Sequence, residues 1–268
     1  MKFNDALSDI CTKKNSHLCV GLDVDLTKVP AHFNNTDDPL VEFGKAIIQA
    51  TSEYAAAFKI NTAFFEAYGV PGWQALAKLS KILPDDVIKI ADAKRGDIGN
   101  TSRMYARAFF REMPFDCITV NPYLGHDAVS PFIEDEEKGA FILCVTSNKG
   151  AADFQYLEAD NKTLYSQIAR KVDRWNESKN CGLVVGATHP DEIRKVREIA
   201  PELPFLIPGI GAQGGDLELS VRYSMDKSRA AVIFNSSRGI IYASQQENFA
   251  EMAAQKSKQM RDAINALK

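Results

Sequence analysis

The segment ADAKRGDIGNT, residues 91–101, concentrates charge directly after an apolar run. Side chains on a β-strand alternate between its two faces, so Asp92 and Lys94 are predicted to share one face and the neighbouring alanines the other. A lysine ammonium fixed beside a carboxylate stays charged and rigidly placed, which suits it to electrostatic or proton-transfer chemistry. Such charges are costly in a simple core strand. The charged side chains are Asp92, Lys94, Arg95 and Asp97.

Lys59 is expected to join this group. It lies near the end of the preceding apolar run, AFKIN, and is a neighbour of Lys94 if consecutive strands pair. Two lysines and two carboxylates then balance in charge, and each opposite pair contributes roughly 4 kcal/mol at about 4 Å and an effective dielectric near 20. An ion-pair network on the rim of the protein is the alternative interpretation of the spacing D-x-K-x-x-D taken alone.

A glycine-rich segment is predicted to bind an anion. FLIPGIGAQGGD, residues 205–216, holds four glycines between Gly209 and Gly215. Glycines let backbone N–H groups approach an anion, and a helix that follows adds its positive end. Arg238, after the next apolar run, supplies a permanently charged, forked donor. These residues together predict a phosphate site. The alternative is a glycine turn beside a surface arginine. The triphosphate-binding motif G-x-x-x-x-G-K-[ST] is absent.

These residues follow short apolar runs separated by amphipathic stretches of helical length. Continuous apolar runs are typical of parallel strands covered by helices, and eight such units predict a (β/α)8 TIM barrel with its chemistry at the carboxyl ends of the strands. We expect one domain over residues 1–268, with a helix before the first strand. An open doubly wound sheet is the alternative, but no G-x-G-x-x-G follows the first strand. The predicted strands are 17–22, 55–60, 87–92, 115–120, 140–146, 182–187, 204–208 and 231–235.

Two segments that follow predicted strands are candidates for a lid over the site. NKGAADFQYLEADNKT, residues 148–163, is long and polar, and we expect it to close over the site as a lid together with residues 212–217. A disordered surface excursion is the alternative. Farther along, Thr188 is predicted to cap the helix that begins near Pro190.

Composition excludes several classes of protein. The chain has 268 residues, of which 45% are hydrophobic and 25% charged, as expected for a globular protein with a substantial core. The net charge of −3 and the lack of a basic stripe predict no nucleic-acid polymer as partner. With no signal-peptide core and no membrane-length apolar run, we expect a cytoplasmic protein that does not enter a membrane. Its five cysteines form no C-x-x-C pair and its four histidines have no ligand spacing, which predicts free thiols and no metal site.

Six segments in consistent order, between about residue 17 and residue 245, resemble the orotidine 5′-phosphate decarboxylase family. Their residues look like those of its longer bacterial subgroup. They are DAKRGDIGNT, FKINTAFFEAYG, TVNPYLG, VTSNKG, PGIGAQGGD and NSSRGIIYA. The resemblance implies a decarboxylation that yields uridine 5′-phosphate in pyrimidine synthesis, by a homodimer that uses neither cofactor nor metal. A phosphate site beside a charged array fits such a phosphorylated small molecule, whose phosphate supplies binding energy for chemistry elsewhere on the substrate.

The resemblance also implies a role for each matching position. Lys94 would protonate carbon 6 of the pyrimidine, and Asp92 would lie against the substrate carboxylate and disfavour its retention. Asp97 of the partner subunit would complete the array with Lys59. The remaining assignments are Asp23 and Lys59 at the ribose hydroxyls, Ile98 and Thr101 entering from the partner subunit, Ser147 at the pyrimidine edge, Gln213 between base and phosphate, Gly211 and Arg238 at the phosphate, and Pro208 and Ser237 as further substrate contacts.

Two positions depart from other members of the family. Shorter members carry histidine where this chain has Asn121, and other members carry glycine where it has Ser237. Both departures concern contacts rather than the reacting groups. Two other functions stay open: a metal-dependent sugar-phosphate decarboxylase or aldolase of the same barrel group, which needs additional acidic ligands, and a non-catalytic nucleotide-binding barrel.

Overall fold

Eight parallel strands close into a barrel in the computed structural model, which describes residues 1–210, 215–225 and 230–268. Each barrel strand pairs with the next along the chain, and the last pairs with the first, Leu18 lying opposite Phe234. The predicted (β/α)8 barrel is therefore confirmed, and the open sheet is excluded. The strands are β1 (Leu18–Leu22), β2 (Ala57–Asn61), β3 (Ile88–Arg95), β4 (Cys117–Val120), β5 (Gly139–Val145), β6 (Cys181–Val185), β7 (Phe205–Pro208) and β8 (Val232–Ser236).

Helices connect the strands and pack around the barrel. The amphipathic stretches supply them, because each buries an apolar stripe against the strands. A π-helical turn, Ala108–Glu112, extends the helix after β3. The α-helices of the described residues are α1 (Phe3–Lys13), α2 (Pro39–Thr51), α3 (Ala63–Glu66), α4 (Gly69–Ile82), α5 (Gly99–Arg107), α6 (His126–Val129), α7 (Leu164–Trp175), α8 (Pro190–Ile199), α9 (Leu217–Met225), α10 (Arg238–Ile241) and α11 (Phe249–Ala266).

Helix α1 closes one end of the barrel. Its first backbone N–H groups donate to carbonyls of Glu136 and Lys179, which lie in the segments before β5 and β6. The Phe3 ring packs edge-on against Phe141, with ring centroids 6.2 Å apart, inside the barrel. A Cβ atom at Gly139 would lie 2.2 Å from the Phe3 ring, so only glycine leaves room there. The amino-terminal end of the barrel is thus filled, and the carboxyl end remains for a site.

Strand β3 extends three residues beyond its predicted end, because it contains a bulge. Its pairing with β4 changes from Ala91 opposite Ile118 to Arg95 opposite Val120, so three residues of β3 face one residue of β4. Within the bulge, Lys94 has a φ of +47°, in the left-handed region. Such a backbone costs about 1–3 kcal/mol in a non-glycine residue and persists only where its surroundings hold it, often at functional sites.

The predicted cap of α8 is wrong by one residue. The helix begins at Pro190, as expected, but His189 occupies the capping position. The Thr188 hydroxyl instead donates to the carbonyl of Ser147, 3.5 Å away. Thr188 therefore ties the loop after β6 to the loop after β5 rather than starting the helix.

The segment 148–163 is structured rather than a disordered excursion. It forms a 3-10 helix over Lys149–Asp153 and then a short antiparallel hairpin. The side chain of Gln155 accepts from the Thr146 backbone N–H and donates to the Thr146 hydroxyl, both at 2.8 Å. Phe154 nevertheless leaves 63% of its surface exposed.

The five cysteines are free and buried, as predicted. Burial raises the pKa of Cys11, Cys19 and Cys181 to about 12, which makes these thiols poor nucleophiles at neutral pH. In the part of the chain that the structure describes, no helix has both the length and the apolar character needed to cross a membrane.

His17 links the start of β1 to β8 and should make stability depend on pH. Its Nδ1 lies 2.6 Å from the Val232 carbonyl, and burial lowers the pKa of His17 to about 4. The unfolded chain takes up a proton on this residue near pH 6.5 while the folded chain does not, so acid favours unfolding between about pH 6.5 and pH 4. Each pKa unit corresponds to about 1.4 kcal/mol, and we expect His17 to contribute about 2–3 kcal/mol to the loss of unfolding free energy over that interval.

His17→Asn tests this, because the amide keeps a donor near the position of Nδ1 but does not titrate. Denaturant unfolding near neutral pH should give similar free energies for both proteins, and the decline toward about pH 4 should be shallower for the variant. Equal slopes in the two proteins would show that His17 does not control the decline.

Candidate active site

A buried carboxylate holds two lysines at the carboxyl ends of β2 and β3. Asp92 Oδ2 accepts from Lys59 Nζ at 2.6 Å, and Asp92 Oδ1 accepts from Lys94 Nζ at 2.6 Å. Lys59 and Asp92 are almost fully buried, whereas half of the Lys94 side chain is exposed to the barrel mouth. Strand pairing causes this meeting, since Asn61 of β2 lies opposite Asp92 of β3. The half-exposed ammonium is therefore held from below and left accessible from above.

Electrostatics keep this cluster ionised. Burial alone would lower the pKa of Lys59, but the attraction of Asp92 and Asp23 outweighs it and raises that pKa. Burial would likewise raise the pKa of Asp92, but Lys59 and Lys94 together hold it well below its usual range. Opposite charges at such distances favour the charged forms of both partners. The carboxylate therefore stays negative and Lys59 positive throughout the neutral range.

Arg95 belongs to a different contact. Its guanidinium forms an ion pair with Glu66, donates to the Ala93 carbonyl at 3.0 Å and lies over the Tyr105 ring. Of these partners, Glu66 lies on α3 and Tyr105 on α5, in the layer of helices around the barrel. The charges of the 91–101 segment are thus divided between the barrel mouth and the helix layer.

A cavity of about 390 Å³ opens above the cluster. Eight of the residues singled out in the sequence line it, and its lining also includes Leu143, Val184 and Leu206 as an apolar floor. The cavity is also lined by four polar residues at or next to strand ends that the sequence analysis did not single out, and by one on a loop. The four are Asn61, Thr119, Thr146 and Asn235, and the loop residue is Asn148. Their position at or next to the ends of apolar runs was the available signal. The eight are Asp23, Lys59, Asp92, Lys94, Ser147, Pro208, Ser237 and Arg238.

Three other predicted residues lie elsewhere. Ile98 immediately precedes α5 with 66% of its surface exposed, and Thr101 is exposed within the first turn of that helix. The Asp97 carboxylate accepts from the Ile98 backbone N–H at 2.8 Å. The described lining of the cavity includes none of these three residues. Gly211 and Gln213 lie outside the described residues.

Tyr242 fixes the loop that carries Asp23. Its hydroxyl donates to the Asp23 carbonyl at 2.8 Å and accepts from the Asp25 backbone N–H at 2.7 Å. The Tyr68 hydroxyl accepts from the next backbone N–H, that of Leu26, at 3.0 Å. The two tyrosines thus hold three backbone groups of this loop. Asp23 Oδ1 is buried without a hydrogen-bond partner among the described residues.

Two glycines allow serine side chains to pack closely at the wall of the cavity. A Cβ atom at Gly21 would lie 1.9 Å from the Ser237 hydroxyl, and one at Gly186 would lie 2.4 Å from the Ser147 hydroxyl. Both glycines are therefore required for serine side chains to approach the neighbouring strand. The Asn235 amide also donates to the Ser237 hydroxyl at 3.3 Å. These contacts set the positions of the two serines at the cavity wall.

A closed barrel with a buried ion cluster and a polar-rimmed cavity at the carboxyl ends of its strands defines a (β/α)8-barrel enzyme. Within that class, the model of the family described as "Orotidine 5′-phosphate decarboxylase / HUMPS family" matches residues 16–253. The chain belongs to this family.

Named relatives agree with this assignment. The chain is 48% identical over 269 residues to an orotidine 5′-phosphate decarboxylase of Dehalococcoides mccartyi strain 195, covering 99% of this chain and 98% of that protein. The solved OMP decarboxylase of Leishmania donovani has a TM-score of 0.85 and 38% identity, covering 100% of this chain and 99% of that one. The solved UMP synthase of L. donovani has a TM-score of 0.87 and 39% identity, and this chain, matched in full, spans 56% of its length.

The two tyrosines allow a paired test of the loop contacts. Tyr242→Phe removes the acceptor of the Asp25 N–H and the donor to the Asp23 carbonyl but keeps the ring, so it should lower the unfolding free energy by about 1–3 kcal/mol. Amide hydrogen exchange should accelerate at Asp25 in this variant and at Leu26 in the matched variant Tyr68→Phe. Unchanged protection at Asp25 in Tyr242→Phe would contradict the assignment of that bond.

Proposed function

We propose that this chain converts orotidine 5′-phosphate to uridine 5′-phosphate and carbon dioxide, with Lys94 as the proton donor. The reaction class is that of a carboxy-lyase of pyrimidine synthesis, in keeping with its family and its near-full-length relatives. The observation that carries the assignment of Lys94 is its ammonium, held 2.6 Å from the buried Asp92 carboxylate and accessible from the cavity.

The proposed step places negative charge where Lys94 can meet it. The bond between carbon 6 and the carboxylate breaks, the electron pair stays on carbon 6, and carbon dioxide leaves. The ring delocalises this in-plane pair poorly, so a fixed positive charge is the main stabilisation that a protein without an electron sink offers. Lys94 then transfers a proton to carbon 6, and its neutral amine regains a proton from water. This proton transfer completes uridine 5′-phosphate and returns Lys94 to its starting protonation state.

Asp92 acts on Lys94 and on the substrate in this scheme. It holds the ammonium in place, and its negative charge lies where the substrate carboxylate would approach. Repulsion between the two carboxylates would raise the energy of the bound substrate, but stabilisation of the transition state by Lys94 is the larger effect in our proposal, because fixed charges need no reorganisation during the reaction. Lys59, which is almost fully buried, and Asp23, which also lines the cavity, would bind the ribose hydroxyls.

The far side of the cavity would grip the phosphate and the base. Arg238 is exposed at the start of α10 and lines the cavity together with Gly209 and Ile210, so a phosphate there could reach its guanidinium. Gly211 and Gln213 are proposed to act there as well. Ser147 would contact the pyrimidine edge, with Pro208 and Ser237 as further contacts. Binding at the phosphate then supplies energy for burying the reacting ring among fixed charges.

We further propose a homodimer in which Asp97, Ile98 and Thr101 reach the partner's cavity. The support is their position outside their own cavity and the exposed apolar surface around them, formed by Ile98, Met104, Tyr123 and Leu124. Such a patch is typical of an interface. A cytoplasmic location fits the free cysteines, which persist in a reducing compartment.

Lys94→Met should separate chemistry from binding. It keeps the aliphatic stem but removes the ammonium, so kcat for orotidine 5′-phosphate should fall by at least about 1,000-fold, while calorimetry should still detect uridine 5′-phosphate binding. Arg238→Ala is the matched control: it should mainly raise KM, because the phosphate contact contributes to substrate capture. The assay follows substrate absorbance, and the wild-type protein is measured both with and without a chelator.

Each outcome has a definite meaning. Near-normal turnover by Lys94→Met would contradict its role, and a purely chemical defect in Arg238→Ala would argue against a phosphate contact. Loss of wild-type turnover on adding chelator would favour the metal-dependent alternative. Binding without turnover by the wild-type protein would favour the non-catalytic barrel.

Mixed dimers test the shared site. Lys94→Met and Asp97→Asn proteins should each be nearly inactive alone, yet dimers that combine one chain of each should regain one intact site. After complete exchange of equal amounts, about a quarter of the wild-type activity should return, since about half of the dimers are mixed. If Asp97 served its own cavity, both sites of every mixed dimer would be defective and no activity would return.

A further inference from the structure

The Thr119 side chain lies beneath the Lys94 ammonium and touches both halves of the β3 bulge. Its hydroxyl accepts from the Lys94 backbone N–H at 3.0 Å and donates to Asp92 Oδ1 at 3.0 Å. The residue is 1% exposed. One buried hydroxyl therefore joins the backbone of the proposed proton donor to the carboxylate that holds its ammonium.

The direction of these bonds follows from the groups involved. A backbone N–H can only donate, and an ionised carboxylate can only accept. The hydroxyl has one proton, so that proton must lie toward Asp92 and a lone pair must face Lys94. Because Asp92 stays ionised between the two lysines, this arrangement has a single orientation at neutral pH. The threonine β-branch further restricts rotation about its first side-chain torsion.

The bulge explains why a side chain is needed at this point. Three residues of β3 face only Thr119 of β4, so the regular ladder is interrupted where Lys94 turns into the left-handed region. The Lys94 backbone N–H is partly buried in this gap, so it needs another acceptor. The Thr119 hydroxyl supplies it, and at the same time it helps to fill the coordination of Asp92 Oδ1 beside the Lys94 ammonium.

We propose that Thr119 is a positioning residue for the decarboxylation: its hydroxyl holds Lys94 in the left-handed backbone conformation that directs the ammonium at the substrate. This inference rests on the proposed function, because it acts through the role of Lys94. It assigns to the hydroxyl, rather than to the threonine methyl group, the task of fixing the proton donor.

Four side chains at position 119 separate the hydroxyl from the methyl group. Threonine has both, Thr119→Val keeps methyl groups without the hydroxyl, Thr119→Ser keeps the hydroxyl alone, and Thr119→Ala has neither. The test determines kcat and KM for orotidine 5′-phosphate with each of the four proteins. Calorimetry with uridine 5′-phosphate would give both the dissociation constant and the number of intact sites. Rates are expressed per intact site, so a partly unfolded preparation does not imitate a catalytic defect.

We expect Thr119→Val to lose about 100-fold in kcat per site, since a displacement of about 1 Å in a reacting group has effects of this size. Thr119→Ser should stay within about fivefold of the wild type, because its hydroxyl can make the same two bonds. The dissociation constant of uridine 5′-phosphate should change little across the series, because Thr119 does not contact the phosphate grip. The serine-to-alanine ratio should repeat the threonine-to-valine ratio, which also covers the case in which Thr119→Val does not fold.

Other patterns overturn the inference. Equal kcat values for threonine and valine, or for serine and alanine, would show that the hydroxyl does not position Lys94. A loss that follows the methyl group would indicate packing alone, and a rise in KM with unchanged kcat would indicate a binding role. If the wild-type chain itself fails to release carbon dioxide from orotidine 5′-phosphate, the proposed function has failed, and that result is distinct from all of these.

Discussion

The site depends on one carboxylate that is almost fully buried between two ammonium groups. Asp92 accepts from Lys59 with one oxygen and from Lys94 with the other, each at 2.6 Å. Without Asp92, the Lys59 charge would be left in the barrel with its nearest compensation lost, and breaking such a buried pair typically costs about 3–5 kcal/mol. Each buried charge would be costly to desolvate on its own. The opposite charges of the cluster offset this cost by attracting one another. The same attraction that keeps the cluster ionised also fixes the position of the group proposed to react.

The barrel makes this arrangement possible because it brings separate strands into register and leaves one end open. Helix α1 fills the opposite end with Phe3, so polar groups at the carboxyl ends of the strands have a rigid apolar layer beneath them. Ordinary strand alternation carries Asp92 into the barrel. The bulge then lets β3 continue for three further residues, so that Lys94 turns back over the carboxylate.

The sequence was sufficient to predict the strands and the central contact, because these depend on local patterns and on the pairing of consecutive strands. Alternation and the position of Lys59 at the end of a neighbouring run predicted that Asp92, Lys94 and Lys59 would meet in one charged cluster. The left-handed backbone of Lys94 and the role of the Thr119 hydroxyl were missed, since both arise from an irregular register that apolar periodicity does not encode. The cap at Thr188 was missed for a similar reason: its hydroxyl has a partner, the Ser147 carbonyl, that is distant in sequence. Asp97 lies outside the described lining of its own cavity, and its expected contact belongs to the proposed dimer, which local sequence patterns do not encode.

The distribution of burial across the site divides it into a rigid part and an adaptable part. Lys59, Asp92 and Thr119 are buried on strands, whereas Arg238 and the 148–163 segment are exposed on the rim. Fixed charges are effective because they need not reorganise when charge develops, and burial on strands meets that requirement. A grip on a phosphate instead has to admit and release the ligand, which suits exposed groups on connecting segments. In the proposed function, binding energy gained at the adaptable rim would bring the reacting ring against charges that are already in place. The phosphate, remote from the broken bond, would contribute to its cleavage in this way.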